Sequence, residues 1–274
     1  MFLADYHTHS SCSFDGKFTM TQMAQAAIDA GLCQICITDH VEMEDSINPV
    51  PFYNAECYSS TFQKNMTDQY EAALKNCGNE IDIRKGIELS SYIPYRHEAE
   101  LISSDPTLDF VIGSIHNMTK TQDFYFIKYE TQKQCDELYA RYLQEYITMA
   151  GMGLCNSIGH IGYPERYMHR DGFDIDPMRY RDALEALLKK CIEVGCGLEM
   201  NTSGLRQGLN KTLPGRDVFA LYRELGGEIV TVGSDAHLTK DVGAEIANAY
   251  EILKEIGFKY ITVFKKRKPE FIKL

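Results

Sequence analysis

The sequence lacks several patterns that would each assign a class of protein. No apolar run reaches the roughly 18 residues of a membrane span, no signal-peptide pattern opens the chain, and no fixed-period repeat divides it. Basic residues are few, with 28 Lys and Arg against 39 Asp and Glu and a formal charge of −11. Such an acidic chain is a poor candidate for binding nucleic acid or an anionic membrane. We therefore expect a cytoplasmic protein with neither partner.

Cysteines are present, but their pattern does not predict a disulfide framework. There are nine, an odd number, scattered mostly in apolar stretches, which is typical of reduced core residues in a cytosolic protein. Cys33 and Cys36 form a C-x-x-C, a pattern that redox and zinc sites also use. They fall in a predicted strand, where residues three apart face opposite sides, so we interpret them as structural.

A unit recurs along the chain, in which a short apolar strand precedes an amphipathic helix. This alternation predicts parallel strands joined by right-handed crossovers. Seven units in 274 residues favour a closed barrel. The alternative is an open doubly wound sheet, but no G-x-G-x-x-G follows the first strand. Strands are predicted over residues 3–8, 34–39, 83–89, 110–116, 156–160, 198–201 and 229–234, and helices over 20–31, 60–77, 96–103, 133–152, 176–194, 214–225 and 239–256.

Histidines concentrate where the predicted strands end. Six of the eight lie there, whereas His97 and His169 do not and are interpreted as surface residues. In a barrel of parallel strands these ends converge on one rim, which is the catalytic face. The seven strand ends read Asp5-Tyr6-His7-Thr8-His9, Thr38-Asp39-His40, Gly86-Ile87-Glu88, Ser114-Ile115-His116, Ile158-Gly159-His160, Glu199-Met200-Asn201 and Ser234-Asp235-Ala236-His237.

The spacing within these motifs predicts metal binding. Residues two apart on a strand point to the same side, so His7 and His9 can present two imidazoles to one ion. Asp235 and His237 repeat this spacing, and the Glu88 carboxylate can bridge two cations. A lone histidine at a strand end is more often a hydrogen-bonded core residue. The whole set, however, exceeds the needs of one ion and suits two or three ions of Zn, Mn or Fe.

These motifs resemble those of the polymerase-and-histidinol-phosphatase (PHP) superfamily, in the family's order and over nearly the whole chain. The length and two segments resemble its stand-alone histidinol-phosphate phosphatase branch. The resemblance implies an α/β fold, a distorted seven-stranded (β/α)7 TIM-like barrel, with residues 1–274 forming a single metallohydrolase domain. The two segments are Asp5-Tyr6-His7-Thr8-His9-Ser10 and Phe264-Lys265-Lys266-Arg267-Lys268-Pro269.

The resemblance also implies a centre of three metal ions. Many relatives carry a histidine at the place of Asp15, and this residue, in Phe14-Asp15-Gly16, can simply make a turn. A carboxylate can also replace an imidazole at such an ion. The implied ligands are His7, His9, Glu88 and Asp235 for the first ion, Glu88, His116 and His160 for the second, and Asp15, His40 and His237 for the third.

The activity that the resemblance implies is hydrolysis of a phosphate monoester, histidinol phosphate, in histidine biosynthesis, and we expect a metal-bridging hydroxide as nucleophile. Arg166 and Arg206 follow the fifth and sixth strands. Similar arginines bind phosphate in the resembling branch, and the alternative is a surface salt bridge. Asp39 is predicted either to orient His40 or to give the leaving group its proton, and His237 is the other candidate donor if it is not metal-bound.

The sequence leaves the substrate open, because specificity is expected to lie in variable loops over residues 42–59 and 117–130. The alternatives are another small phosphate ester or phosphotyrosine, and a non-catalytic metal-binding module. The complete ligand set argues against the module. A nuclease role fits poorly with the formal charge of −11 and with the lack of a basic stripe.

Overall fold

A computed structural model describes residues 1–43 and 54–274 of the chain. Seven strands pair side by side in chain order, all in parallel. Their residues are almost all buried, as expected for a parallel sheet covered on both faces. The strands are β1 (Ala4–Thr8), β2 (Gln34–Glu42), β3 (Asp82–Ser90), β4 (Phe110–Ser114), β5 (Ser157–Ile158), β6 (Gly197–Asn201) and β7 (Val230–Gly233).

The sheet closes between its first and last strands. The Asp235 N–H donates to the His7 carbonyl at 2.7 Å, and the His9 N–H donates to the Ala236 carbonyl at 2.9 Å. A Cβ atom on Gly233 would fall 2.3 Å from the His7 Cβ, so only glycine permits this approach of β7 to β1. The predicted seven-stranded barrel is therefore confirmed over the open sheet.

Helices connect successive strands and bury one face each against the barrel. The helix Gln132–Gly151 is typical, with the Thr131 side chain accepting a hydrogen bond from the Gln134 N–H at its start. Its buried face includes Leu138, Tyr142 and Tyr146, which recur at helical spacing. The principal helices are Met20–Asp29, Gln63–Cys77, Arg96–Ser103, Gln132–Gly151, Glu165–Arg170, Arg181–Val194, Ser203–Arg206, Arg216–Glu224 and Ile246–Ile256. Within the described ranges no helix combines the length and apolarity that crossing a membrane requires.

The predicted helix over residues 239–256 is wrong in its first part. The structure has a 3-10 turn at Thr239–Asp241 and a helix only from Ile246. Gly243 and Glu245 between them adopt positive φ values of 75° and 62°, which a continuous α-helix excludes. The Gly243 N–H instead donates to Asp5 at 2.9 Å, which ties this turn to β1.

The sequence analysis did not predict the C-terminal hairpin. Strands β8 (Tyr260–Lys265) and β9 (Lys268–Lys273) pair antiparallel after the last helix. The hairpin covers the end of the barrel where the strands begin. There the Phe264 N–H donates to the Tyr6 hydroxyl at 2.8 Å, and the Val230 N–H donates to Thr262 Oγ1 at 3.2 Å. This end lies opposite the rim that carries the predicted ligands.

Arg267, at the turn of the hairpin, fastens it to the barrel. Its guanidinium donates to the Leu154 carbonyl at 2.6 Å, to Asn156 Oδ1 at 3.0 Å and to the Ser103 carbonyl. Arg267→Ala removes these bonds and is expected to lower the free energy of unfolding by about 2–4 kcal/mol. Urea denaturation measures the effect. The exposed Lys268→Ala serves as control, with an expected change within about 0.5 kcal/mol. Equal stability of the two variants would contradict this role of Arg267.

All nine cysteines are free; seven are buried, as expected of core residues, whereas Cys33 and Cys57 are exposed. Cys33 is exposed before β2, whereas Cys36 is buried within β2, so the C-x-x-C does not form a pair. The segment with Asn48-Pro49-Val50-Pro51, which belongs to the first predicted specificity loop, lies outside the described residues.

Candidate metal centre

All nine predicted metal ligands meet at the rim where the barrel strands end. Glu88, on β3, lies at the middle of this cluster and is fully buried. Its two oxygens face imidazoles from four other strands or strand ends. The Oε2 atom lies 3.3 Å from His7 Nε2, 3.6 Å from His9 Nε2 and 2.9 Å from His40 Nδ1, and the Oε1 atom lies 3.2 Å from His116 Nε2 and 2.8 Å from His160 Nε2.

Asp235 supplies the second buried carboxylate, directly after β7. Its Oδ1 lies 3.5 Å from His9 Nε2 and 3.9 Å from His7 Nε2. The residue has a φ of 56°, in the left-handed region that non-glycine residues rarely adopt. Such strain is typical of functional sites, where the surrounding structure enforces it. Here it places the carboxylate beside both imidazoles of the H-x-H motif.

The third predicted ligand group is more open to solvent. Asp15 lies in the loop after β1, with 41% of its side chain exposed. Its oxygens lie 3.1 Å from His237 Nε2 and 3.7 Å from His40 Nε2, and the two imidazole nitrogens are 3.4 Å apart. The loop therefore places the Asp15 carboxylate beside two imidazoles, where a metal ligand would lie. A residue that only makes a turn would not need this position.

Several buried polar atoms of the cluster are left without a hydrogen bond. Within the described ranges these include His7 Nε2, His9 Nε2, His40 Nδ1 and Glu88 Oε2. Each such atom costs about 1–3 kcal/mol when it is left unsatisfied. Cations between these atoms would satisfy them together. Four overlapping groups have ligand atoms within 4.8 Å of one another: His7, His9 and Glu88; Glu88, His116 and His160; His9, His40 and His237; and His40, Glu42 and His116. The donor set therefore fits two or three transition-metal ions.

Two carboxylates without an assigned role in the sequence contact the Nδ1 atoms of ligand imidazoles. Glu199 Oε1 lies 2.6 Å from His7 Nδ1, and Glu42 Oε1 lies 2.8 Å from His116 Nδ1. Such contacts fix the orientation of the ring and leave Nε2 free to bind a metal. A signal for Glu42 exists in the sequence, because it lies two residues after His40 and so faces the same side of β2.

The carboxylates also control the protonation of the cluster. Burial alone would raise the pKa of Glu88, but the charges of His116 and the other imidazoles lower it well below its usual range. Burial lowers the pKa of His7, yet Glu199 and Glu88 raise it well above its usual value. The carboxylates of the cluster are therefore ionised. Metal cations would neutralise their charge and would replace the protons on the imidazoles.

Glu199→Gln is expected to weaken metal binding by about 10- to 100-fold, because it removes the charge that orients and polarises His7. Titration of the metal-free protein with Zn²⁺ in competition with a chelator measures the affinity. Glu193→Gln, at a side chain that is 66% exposed, is the matched control and should bind as the wild type does. An unchanged affinity for Glu199→Gln would contradict the positioning role.

Asp39 contacts residues that adjoin the candidate ligands His9 and His40. Its carboxylate is fully buried and accepts hydrogen bonds from the Ser10 N–H at 2.6 Å, the Ser10 hydroxyl at 2.7 Å and the Ser13 hydroxyl at 2.7 Å. The Ser13 hydroxyl in turn accepts from the His40 N–H at 3.0 Å. This placement favours the orienting role for Asp39 over proton donation.

The two predicted phosphate-binding arginines both reach Asp235. Arg166 Nη2 lies 3.1 Å from the Asp235 carboxylate and also contacts the Ser203 hydroxyl. Arg206 Nη2 donates to the Asp235 carbonyl at 2.9 Å. Each guanidinium keeps one buried nitrogen, Arg166 Nε and Arg206 Nη1, without a partner in the described part of the chain. The Arg166 side chain is buried against Asp235, whereas Arg206 is partly exposed and its Nε also lies 3.9 Å from Asp241 Oδ1. The salt-bridge alternative therefore stays open for Arg206. His97 and His169 are exposed, as predicted.

A cavity of about 330 Å³ opens over the cluster. This volume is in the usual range for a small-molecule site. Its wall includes Arg166, His237, Tyr163, Tyr167 and Asp123. The cavity thus joins a cationic guanidinium and the candidate metal ligands to aromatic and acidic groups from neighbouring loops.

Comparison with known proteins agrees with this geometry. A family model for the PHP domain matches residues 5–203. A probable histidinol-phosphatase of Thermotoga maritima is 29% identical over 97% of each chain, and the histidinol-phosphatase of Lactococcus lactis subsp. lactis is 26% identical over 96% of this chain and 95% of that one. A crystal structure of the histidinol phosphate phosphatase from Lactococcus lactis with zinc, L-histidinol and phosphate is similar at a TM-score of 0.79 and 25% identity, over 98% of both chains. The chain belongs to the PHP domain family.

Proposed function

We propose that this protein is a metal-dependent phosphomonoesterase that hydrolyses L-histidinol phosphate to L-histidinol and phosphate. The observation that carries the proposal is the buried cluster of imidazoles and carboxylates around Glu88, beside two arginines that each have a buried nitrogen without a partner among the described residues. Two curated relatives that match over nearly their full length carry the name histidinol-phosphatase or probable histidinol-phosphatase. The similar solved structure contains zinc, L-histidinol and phosphate.

The residues divide into a metal-binding set and a phosphate-binding set. The nine ligands would hold divalent ions, which when bound would supply positive charge to the phosphoryl oxygens and lower the pKa of a coordinated water. Arg166, at the cavity wall, binds phosphate oxygens in this proposal, since these match a guanidinium in geometry and charge. Arg206 has the lesser part in phosphate binding, because it is not among the described residues that line the cavity. Water supplies the hydroxyl group that joins phosphorus, and the departing alkoxide takes up a proton.

Asp39 acts in this proposal as a positioning residue. It holds Ser13, whose hydroxyl lies 3.3 Å from His9 Nδ1 and accepts from the His40 N–H. It thereby positions the His9 imidazole and the main chain of His40, which belong to two different ligand groups. His237, which lines the cavity, is the other candidate for delivering a proton only if it does not bind a metal ion.

The remaining sequence-based expectations are part of the same proposal. Residues 1–274 form one metallohydrolase domain, and the enzyme works in the cytoplasm on a small phosphorylated substrate without nucleic acid. Support comes from the relatives, which match over nearly the whole chain, and from the formal charge of −11.

Phosphate release from a panel of esters tests the proposed substrate. The protein is freed of metal, reconstituted separately with Zn²⁺, Mn²⁺ or Fe²⁺, and assayed on L-histidinol phosphate, phosphotyrosine, a sugar phosphate and a nucleotide. We expect kcat/KM for L-histidinol phosphate to exceed the others by about 100-fold. A higher kcat/KM for another ester would identify that ester as the substrate in place of L-histidinol phosphate. Absence of hydrolysis with any metal would favour a non-catalytic metal-binding module.

A further inference from the structure

A buried ion pair joins the chain segments that follow β5 and β6. Glu165, the first residue of the short helix after β5, is buried, and its Oε2 lies 2.6 Å from the Nζ atom of Lys211 in the segment after β6. The Tyr139 hydroxyl, on the helix Gln132–Gly151, donates to Glu165 Oε1 at 2.9 Å. Neither member of the pair is among the described residues that line the cavity or among the candidate metal ligands.

The environment of Glu165 makes its charge depend on Lys211. Burial raises the pKa of Glu165, and the Lys211 ammonium and the Tyr139 hydrogen bond oppose this rise. The Lys211 side chain is 36% exposed, so its ammonium reaches the carboxylate from the surface. A buried ion pair is weak evidence for stabilisation of a fold, but such a pair can fix one arrangement of the elements that carry it. Here it fixes the helix after β5 relative to the segment after β6.

On the β5 side, the Glu165 carboxylate packs against its own loop. The Glu165 N–H donates to the Gly162 carbonyl at 2.8 Å, and a Cβ atom on Gly162 would fall 2.5 Å from Glu165 Oε1. Arg166 is the next residue of the helix, and successive helical side chains point about 100° apart. An anchored Glu165 therefore sets the direction in which the Arg166 side chain leaves the helix.

On the β6 side, Lys211 belongs to a segment that is fastened to the end of the strand. Asn201, the last residue of β6, and Leu213 exchange two N–H to carbonyl hydrogen bonds at 3.0 and 2.9 Å. The chain between them includes Ser203, whose hydroxyl contacts the Arg166 guanidinium. The segment that holds Lys211 therefore also carries a polar partner of Arg166.

The two segments thus meet twice, once at Glu165 and Lys211 and once at Arg166 and Ser203. We propose that the Glu165–Lys211 ion pair positions the Arg166 guanidinium at the cavity wall, without contacting phosphate itself. The inference rests on the phosphate-binding role of Arg166 in the proposed function and assigns two further positioning residues. Loss of the pair would free the helix after β5 to turn, and Arg166 would move away from its place beside Asp235.

Two substitutions remove the ion pair from opposite sides. Glu165→Gln removes the negative charge at nearly constant size, and Lys211→Met removes the ammonium but keeps an apolar stem. Each is expected to lower kcat/KM for L-histidinol phosphate by about 10-fold, mainly through KM, with unchanged metal content. Lys211→Arg keeps the charge and should stay within about 3-fold of the wild type. Lys133→Met, at a side chain that is 84% exposed, is the matched control and should behave as the wild type does.

The Arg166→Ala background separates positioning from a general structural role. If the pair acts through Arg166, Glu165→Gln and Lys211→Met should lower kcat/KM by less than about 2-fold further once the guanidinium is absent. A loss of kcat/KM by the same factor in both backgrounds overturns the inference, as do wild-type kinetics of both single variants. If Glu165→Gln does not fold, Lys211→Met provides the same test at a partly exposed side chain.

Binding of inorganic phosphate tests the inference separately from the proposed function. The metal-loaded variants are titrated with inorganic phosphate by calorimetry. About 10-fold weaker binding to Lys211→Met than to Lys133→Met supports the positioning role. If this result is found while the wild type hydrolyses no ester, only the proposed function is wrong. Equal phosphate binding by the two variants, or no phosphate binding by the wild type, overturns the inference.

Discussion

Glu88→Gln is expected to lower kcat/KM for phosphate-ester hydrolysis by about 1,000-fold or more, and to reduce the metal content by at least about one ion per chain. Glu88 is the carboxylate whose two oxygens face five imidazoles at 2.8–3.6 Å. An amide offers one neutral oxygen in place of two charged ones, so it cannot bridge two cations with the same strength. Elemental analysis after reconstitution and steady-state kinetics measure the two effects.

A surface variant is needed to separate loss of the bridge from a general effect of the substitution. Glu224→Gln changes the same residue type at a side chain that is 68% exposed and should keep wild-type metal content and kinetics. Thermal denaturation of both variants shows whether the fold is retained. Full metal content and activity in Glu88→Gln would show that Glu88 does not bridge metal ions.

Arg166→Ala is expected to lower kcat/KM by about 100- to 1,000-fold through loss of phosphate binding. The Arg166 guanidinium lines the cavity, whereas Arg206, within the described part of the chain, does not. We therefore expect a smaller effect, about 10-fold, for Arg206→Ala. Arg166→Lys keeps the charge but not the planar pair of donors, and should recover only part of the loss.

Metal content distinguishes the two ways in which Arg166→Ala could act. Arg166 contacts Asp235 at 3.1 Å, so a loss of activity has two explanations: loss of a phosphate contact, or displacement of Asp235 as a metal ligand. The phosphate-binding role predicts unchanged metal content and weaker inhibition by inorganic phosphate. Wild-type kinetics, or loss of metal together with activity, would contradict that role.

The barrel and its catalytic rim could be predicted because the two signals are local. Apolar strands alternate with amphipathic helices, and His7, His40, His116 and His160 all fall where the apolar residues of a strand stop. A parallel barrel places all such ends on one rim whatever the loop lengths are. The family and fold predictions are thus confirmed, whereas the roles of the individual ligands stay predictions.

The supporting residues could not be found in this way, because their function depends on distant contacts. Glu199 acts on His7, which is 192 residues away in the chain, and no spacing rule connects the two. Asp39 was placed correctly on β2, but its orientation towards Ser10 and Ser13 depends on the loop after β1. The hairpin β8–β9 was missed because it follows the last strand–helix unit and pairs only with itself.

The central claim is that imidazoles and carboxylates at the strand ends hold several cations together. Anomalous X-ray diffraction at the zinc absorption edge, from crystals of the zinc-reconstituted protein, tests it most directly. We expect two or three peaks at the rim, with Glu88 coordinating two of the ions and Asp15 facing the third where it is present. Crystals with no peak at the rim, or with zinc bound only elsewhere, would contradict the account.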